Sequence, residues 1–502
     1  MDTETKLQAW KTNDWEGWSA ALLGRVSRPA GWMQDIEQAI ALAHRFNEEV
    51  VKPCYLQLDA FIQDHPQELP LAFIEQAAQW RLFSLWVPRM LGGGGWNFLS
   101  LYAFLEEVSS VCVGLANVIG VHYLGAATLM ATWNTRLMQE IFSDVCQGER
   151  LGQPRLISLA ITEPGAGTDM EETELLERVR TGTVARLQAH GDYLLDGCKV
   201  FISNGHISTW HMVIAAEDRR RAADTGVVLA VHREDPGFSL GAHENKMGQK
   251  ACVASELLFA GCRVPAHRVA YAPAQSAALG ASHRDMIQLI IDYVVSSTRA
   301  GVAAFAAGVA QGSYRTAMHY AAGKTLPQGR LITQQWAQSC LSEMAKNAQL
   351  ARQTWIDSAC ANSLDGLYAP LFSPALMLMD RHAPAKPWKK WVGVALRQPA
   401  VMRQIRLRYM KNYSRSRQHK VSGTASMAKF ACSDLGLRNA LLALELMGAD
   451  GLRQDHGAEK FLRDAKLLQI YEGSNQLNRI NYFKCSLRAD EQVRVFLREA
   501  AS

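Results

Sequence analysis

Three short stretches place residues that can do chemistry beside residues that turn the chain. The first is Ile161-Thr-Glu-Pro-Gly-Ala-Gly-Thr-Asp169. Its Thr-Glu-Pro-Gly corner leaves an apolar strand and presents backbone N–H groups, with the hydroxyls of Thr162 and Thr168, at the end of a sheet. Such groups can hydrogen-bond a planar heterocycle or phosphate oxygens; an ordinary tight turn uses the same residues. The second is Gly197-Cys-Lys-Val-Phe-Ile-Ser-Asn-Gly205. Strand alternation puts Phe201 and Ser203 on one face, an aromatic plane beside a hydroxyl, which suits a flat cofactor and equally suits core packing. The third, Arg463 to Gln476, carries Glu472 in front of Gly473 and Ser474. A carboxylate there can cap the next helix. In a dry pocket its proton affinity rises and it becomes a general base.

The composition defines the body that holds these stretches. The chain has 502 residues, 48% hydrophobic and 20% charged, with mean hydropathy −0.10. That length supports several domains and a large core. No uninterrupted apolar run approaches the roughly 18 residues of a membrane span. The polar opening MDTETKLQAWKTNDWEGW does not read as a signal peptide. Ten cysteines without CxxC pairs read as reduced thiols, with no disulfide framework and no metal site. A secreted mini-scaffold, a channel and a disordered chain are excluded, and a cytoplasmic protein is expected.

The chain divides into helical, β-rich and helical parts. Three- and four-residue spacing of apolar positions predicts helices over residues 1–155, broken by the loop Gly92 to Gly95. Short apolar stretches between Gly, Asn and Asp turns predict a β domain over 156–275, and helices return over 276–502. An insertion at about 363–420 is cut by prolines 370, 374, 384, 387 and 399. From Arg381 to Ser433 there are thirteen Lys or Arg and no Asp or Glu, which leaves 40 basic against 48 acidic residues elsewhere. Such a bias points to an anionic partner; a solvated helical face carries the same charges. With Trp388 and Trp391, the segment has the composition of a membrane-surface contact. It also suits docking of an acidic protein, or a helical hairpin over the mouth of a site.

Together the three stretches, with KMGQKACVASELLFAGCRVP, resemble the signatures of the acyl-CoA dehydrogenase family over about residues 40 to 485, the insertion excluded. The resemblance implies an α+β protein: an N-terminal helical domain, a central β-barrel-like domain and a C-terminal four-helix bundle. It implies FAD as cofactor and oxidation of an acyl-CoA thioester to the trans-2-enoyl thioester. Glu472 stands where the family keeps its α-proton base, and the alternative position in relatives is Thr298, which cannot serve. By the same likeness Leu159, Ile161, Thr162, Thr168, Phe201 and Ser203 line the flavin, and Ser474 and Gln476 touch it from the C-terminal domain. Thr168, Ser296, Arg299 and Gly473 meet the thioester.

The adenine half of FAD falls to Lys324, Gln335, Glu445, Gly448 and Ala449, across a subunit boundary. Here the sequence departs from the family. Lys324 replaces an arginine and loses its bidentate fork, while Glu445 and Asp450 bring carboxylates towards a pyrophosphate. The stretch Val111 to Gly114 lacks the basic residue that relatives use for a second carboxylate, so a neutral acyl tail is expected. The likeness further implies an electron-transfer flavoprotein as acceptor and a homodimer or homotetramer, with no nucleic acid. An acyl-CoA oxidase, a flavin monooxygenase and a carrier-protein thioester dehydrogenase share these residues. A nucleic-acid-binding scaffold would rest on the basic insertion alone.

Overall fold

The computed structural model describes residues 30–171, 181–372, 380 and 393–487. Helices α1 (Ala30–Phe46), α2 (Lys52–Asp64), α3 (Leu71–Gln79), α4 (Phe98–Ala131) and α5 (Thr135–Arg150) come first. The sheet follows with β1 (Leu156–Ala160), β2 (Val184–Leu187), β3 (Tyr193–Ser203), β4 (Ser208–Ala216), β5 (Gly226–His232), β6 (Phe238–His243), β7 (Ala254–Val264) and β8 (Val269–Tyr271). The helices that close the chain are α6 (Pro273–Leu279), α7 (His283–Gly323), α8 (Gln335–Asp365), α9 (Pro399–Arg406), α10 (Arg415–Met447), α11 (Ala458–Leu468) and α12 (Asn475–Tyr482).

The sheet is one eight-stranded unit in the order β6-β7-β3-β2-β4-β5-β8, with β1 also paired to β4. β1 runs parallel to β4 from Leu156 to Ala160, and β2 meets the same strand further on, at Val184–Ala216. The loop after β1 therefore leaves the sheet beside β3, which ends in Phe201 to Ser203.

α4 and α7 are apolar on nearly every face and so lie inside the molecule. Both are long and apolar enough to cross a membrane by length and composition, yet 89% of each apolar window is buried in the protein's own core. This corrects the expectation that no segment would pass that test: small and polar residues interrupt the apolar runs without lowering their mean. α4 breaks at Cys112, whose backbone is extended (φ −152°, ψ 103°). α7 approaches α4 closely through glycine. A Cβ on Gly308 would lie 2.2 Å from the Glu106 carbonyl oxygen, and one on Gly312 would lie 2.2 Å from that of Ser110.

The described part of the insertion is a strap of short helical pieces. Its basic residues turn towards the chain itself. Arg406, buried, donates to the carbonyls of Thr132 (2.9 Å) and Ala270 (3.0 Å), and Arg403 and Lys411 donate to those of Ala278 (3.0 Å) and Leu279 (2.7 Å) at the end of α6. Lys420 pairs with Asp365, and Arg415 with Asp285. Ahead of α9, Gln139 donates to the Gly393 carbonyl (3.1 Å) and Thr135 to that of Leu396. Asp380 accepts from the Arg89 and Met90 amides at 2.9 and 2.8 Å. Several charges that the sequence assigns to an external partner are thus engaged within the fold. Trp388 and Trp391 lie outside the described residues.

Candidate active site

A cavity of about 420 Å³ lies between α4, α7, the loop after β1, the end of β3 and the turn between α11 and α12. Its inner wall is apolar and buried, with Leu101, Leu105, Val302 and Phe305 among its side chains. Its lip is more open. There Phe201 is 59% exposed and Ile470 56% exposed, with Pro164 and Gly167 nearby. One end is therefore suited to an apolar chain and the other to a larger group reaching solvent.

Glu472 stands at the centre of this space. It follows α11 in a turn where both Glu472 (φ 55°) and Gly473 (φ 76°) adopt left-handed backbone. A non-glycine residue holds that conformation only where its surroundings impose it. The imposing contacts come from three helices. Arg299 Nε on α7 donates to the Glu472 carbonyl (3.3 Å), Lys429 Nζ on α10 to the Gly473 carbonyl (2.7 Å), and Asn478 Nδ2 on α12 to both (3.2 and 2.8 Å). Gly473 has a second reason to be glycine: a Cβ there would lie 2.8 Å from Glu171 Oε2.

The electrostatics favour a proton acceptor. Burial, and then the neighbouring Glu171 carboxylate, push the Glu472 carboxyl up to about 7, against a hydrogen bond from Thr298 and the charges of Arg299 and Lys429. Thr298 Oγ1 lies 2.5 Å from Glu472 Oε2 and 3.0 Å from the Val294 carbonyl oxygen. Its hydroxyl can donate to an ionised Glu472, or accept from a protonated one while turning its own proton to Val294. Lys429, buried and close to Arg299, is lowered to about 7.

The residues expected at a flavin ring meet here. Leu159, Ile161, Thr162, Phe201 and Ser203 all line the cavity, as do Gly473 and Glu472. The alternation predicted for β3 does not hold at its end. Phe201 has φ 58°, and the pairing with β7 shifts between Lys199 and Ile202, so a bulge turns Phe201 to the lip. A buried ion pair locks the two segments together: Lys199 Nζ donates to Glu163 Oε1 (2.7 Å) and to the Ile161 carbonyl (2.8 Å), and both side chains are 2% exposed or less.

Other expected residues fall elsewhere. Ser296 does not line the cavity. The period of α7 turns Val294, Ser297, Thr298, Gly301, Val302 and Phe305 inward, and carries residue 296 to another face, where its carbonyl accepts from Asn362 (3.3 Å). Arg299 lies beneath the cavity at 2% exposure. Ser474 caps α12, accepting from the Leu477 amide, and Gln476 is exposed. The Thr168 side chain lies outside the described residues. Lys324, Gln335, Glu445, Gly448 and Ala449 sit at the ends of α7, α8 and α10, away from this cavity. Lys324 is held by Asp450 (2.8 Å), which also accepts from Tyr320 (2.6 Å). The cation that compensates Asp450 is thus Lys324 itself.

A flavin ring fits the lip: an exposed aromatic plane, apolar Leu159 and Ile161, and the hydroxyls of Thr162 and Ser203 converge there. Fold and site together define a helical–β–helical class of protein with a buried, proton-accepting carboxyl group lining its cavity. The comparisons give the family. Profiles of the acyl-CoA dehydrogenase N-terminal, middle and C-terminal domains match residues 34–149, 158–262, and 290–368 with 396–484. The chain belongs to the acyl-CoA dehydrogenase family, FAD-dependent oxidoreductases acting on CH–CH groups.

Among curated relatives it is 26% identical over 403 residues to a probable acyl-CoA dehydrogenase, FadE25, of Mycobacterium tuberculosis, covering 80% of this chain and 84% of that protein. It is 25% identical over 439 residues to the mitochondrial short-chain specific acyl-CoA dehydrogenase of Mus musculus, covering 87% and 86%. The butyryl-CoA dehydrogenase of Megasphaera elsdenii has the same fold, with TM-score 0.68 and 22% identity over 90% of this chain and 98% of that one. So has the prolyl acyl carrier protein oxidase AnaB, with TM-score 0.64 and 18% identity over 91% and 98%.

Sequence reasoning missed three side chains of the site: Glu171, Lys429 and Asn478. No local pattern marks Glu171 and Lys429, whose partners are distant in sequence, whereas Asn478 holds the carbonyls of the turn just before its own helix.

Proposed function

We propose that the protein dehydrogenates a neutral acyl-CoA thioester at Cα–Cβ, with Glu472 taking the α-proton. The observation that carries this is the Glu472 carboxyl itself, raised to about 7 at the centre of a cavity whose inner wall is apolar. A base of that affinity is about half ionised at pH 7, fully ionised somewhat above it, and accepts a proton without a large penalty. Bound FAD supplies the acceptor for the hydride leaving Cβ.

The chain's own residues do the rest. Among the described residues, the Glu472 N–H has no acceptor within the chain, which leaves it for the thioester carbonyl, where such a donor contributes about 3 kcal/mol to an enolate-like transition state. Thr298 orients the carboxylate before transfer by donating to it, and afterwards accepts a hydrogen bond from the protonated carboxyl while donating to Val294. The apolar wall aligns the tail and excludes water. Among the cavity's lining residues, the charged side chains are Glu163, Glu171 and Glu472. None is a cation for a second substrate carboxylate, which supports a neutral tail.

An electron-transfer flavoprotein is the acceptor in this reading; a chain of similar fold is described with the electron transferring flavoprotein of Acidaminococcus fermentans. None of the ten cysteines, all among the described residues, forms a disulfide, which is consistent with the cytoplasmic compartment of this reading. The position of Lys324, Gln335, Glu445, Gly448 and Ala449, far from the ring, supports a homodimer or homotetramer in which one subunit completes the adenine site of another. The described residues of the 363–420 insertion act as an internal strap, because their basic side chains bond carbonyls and carboxylates of the chain itself.

The test is anaerobic mixing of the yellow holoenzyme with a panel of acyl-CoAs. Bleaching of the flavin by wild type, with a Glu472→Gln rate at least about 100-fold lower, is the expected result. Equal bleaching by both proteins overturns the assignment of the base, and a wild type that no acyl-CoA bleaches overturns the substrate class.

A further inference from the structure

Glu171 carries no role in the chemistry above, yet it is the second carboxylate of the centre. It ends the short 3-10 turn Thr168–Glu171, lines the cavity, and keeps a side-chain exposure of 12%. Its Oε2 accepts from Arg299 Nη2 at 2.8 Å. The other two nitrogens of that guanidinium are also assigned: Nη1 donates to Ser426 Oγ (3.0 Å) and Nε to the Glu472 carbonyl (3.3 Å). None of the three bonds the Glu472 carboxylate, although Arg299 holds the backbone of the same residue.

An arginine so close would form a bidentate pair with a free carboxylate. A paired Glu472 would be a poor base, ionised at lower pH and fixed away from substrate. From the remaining sides Glu472 faces Thr298 on α7 and Lys429 on α10, and Lys429 is bound to the Gly473 carbonyl and to Asn475 Oδ1 (2.9 Å). Both buried cations are thus engaged elsewhere, and among the described residues Glu171 is the charged side chain that bonds Arg299.

Resting on the proposed base, we infer that Glu171 is a positioning residue that holds the Arg299 guanidinium off the Glu472 carboxylate and against its backbone. The carboxylate facing substrate is then, among the described residues, the one that neither Arg299 nor Lys429 bonds directly. Both effects of Glu171 act in one direction. It satisfies Arg299, and its own negative charge opposes ionisation of Glu472.

The experiment compares wild type, Glu171→Gln and Glu171→Asp as folded holoenzymes, checked by flavin content and thermal unfolding. It reads the ionisation of Glu472 without turnover: carbodiimide labelling of the protonated carboxyl as a function of pH, quantified by peptide mass spectrometry. The midpoint should lie near neutrality in wild type, fall by about one pH unit or more in Glu171→Gln, and return towards wild type in Glu171→Asp. In turnover the acid limb of kcat should move down by the same amount, with kcat at high pH falling several-fold and KM changing little. Unchanged labelling midpoints overturn the inference, whatever the activity. A shifted midpoint in a protein that oxidises no acyl-CoA supports the inference and overturns the proposed substrate instead.

Discussion

The raised carboxyl of Glu472 fixes the sign of the pH response. The group must be ionised to take a proton, so kcat rises as pH increases through about 7 and levels off above it. A stopped-flow series across that range tests the limb, and a flat profile contradicts it. The residue after the base is under a separate constraint. Gly473→Ala adds a Cβ at φ 76° and 2.8 Å from Glu171. We expect a loss of about 1–2 kcal/mol and a fall in kcat greater than the rise in KM, measured by denaturant unfolding and steady-state kinetics. Glu472 and Gly473 are legible in sequence because the turn that displays them is local. Glu171 is not: its meaning depends on Arg299, 128 positions away, and a glutamate after Thr-Asp-Met signals nothing by itself.

Among the elements, the ring-facing segments depend on one buried pair. Removing one partner of such a pair costs about 3–5 kcal/mol, because it strands the other charge. Lys199→Met should therefore destabilise the protein by that order and release FAD, read by thermal unfolding and by flavin retained on gel filtration. Retention of both would show that the loop after β1 stands without its tether. The order of helix, sheet and helix was legible from periodicity, since apolar spacing changes clearly near Leu156. Two local features were not. The bulge at Phe201 defeats simple alternation, because the residue takes left-handed backbone that its side-chain type disfavours. Ser296 lies off the cavity lining because motif position alone does not tell which face of α7 it occupies.

Across the whole molecule, the insertion changes how a charge-rich segment is understood. Its bias was legible in composition, but the acceptors were not, because they are backbone carbonyls of Thr132, Ala270, Ala278 and Leu279, which leave no trace in residue type. Arg406→Ala removes two of these bonds and a cation 5.2 Å from the centre of the Tyr271 ring. The expected cost is about 1–3 kcal/mol in chemical unfolding. Vesicles rich in anionic lipid should leave wild type in the supernatant at low ionic strength, and co-sedimentation there would restore a surface role.

The strap also touches all three parts of the chain: Thr132 and Gln139 in the first, Ala270 in the second, Asp285 in the third. A segment fastened at every part couples their melting. Wild type should therefore give a single calorimetric transition whose van't Hoff and calorimetric enthalpies agree, and loosening the strap through Arg406→Ala should divide that peak. In such a molecule heat opens no single domain ahead of the others, so the cofactor is lost only when the whole chain lets go.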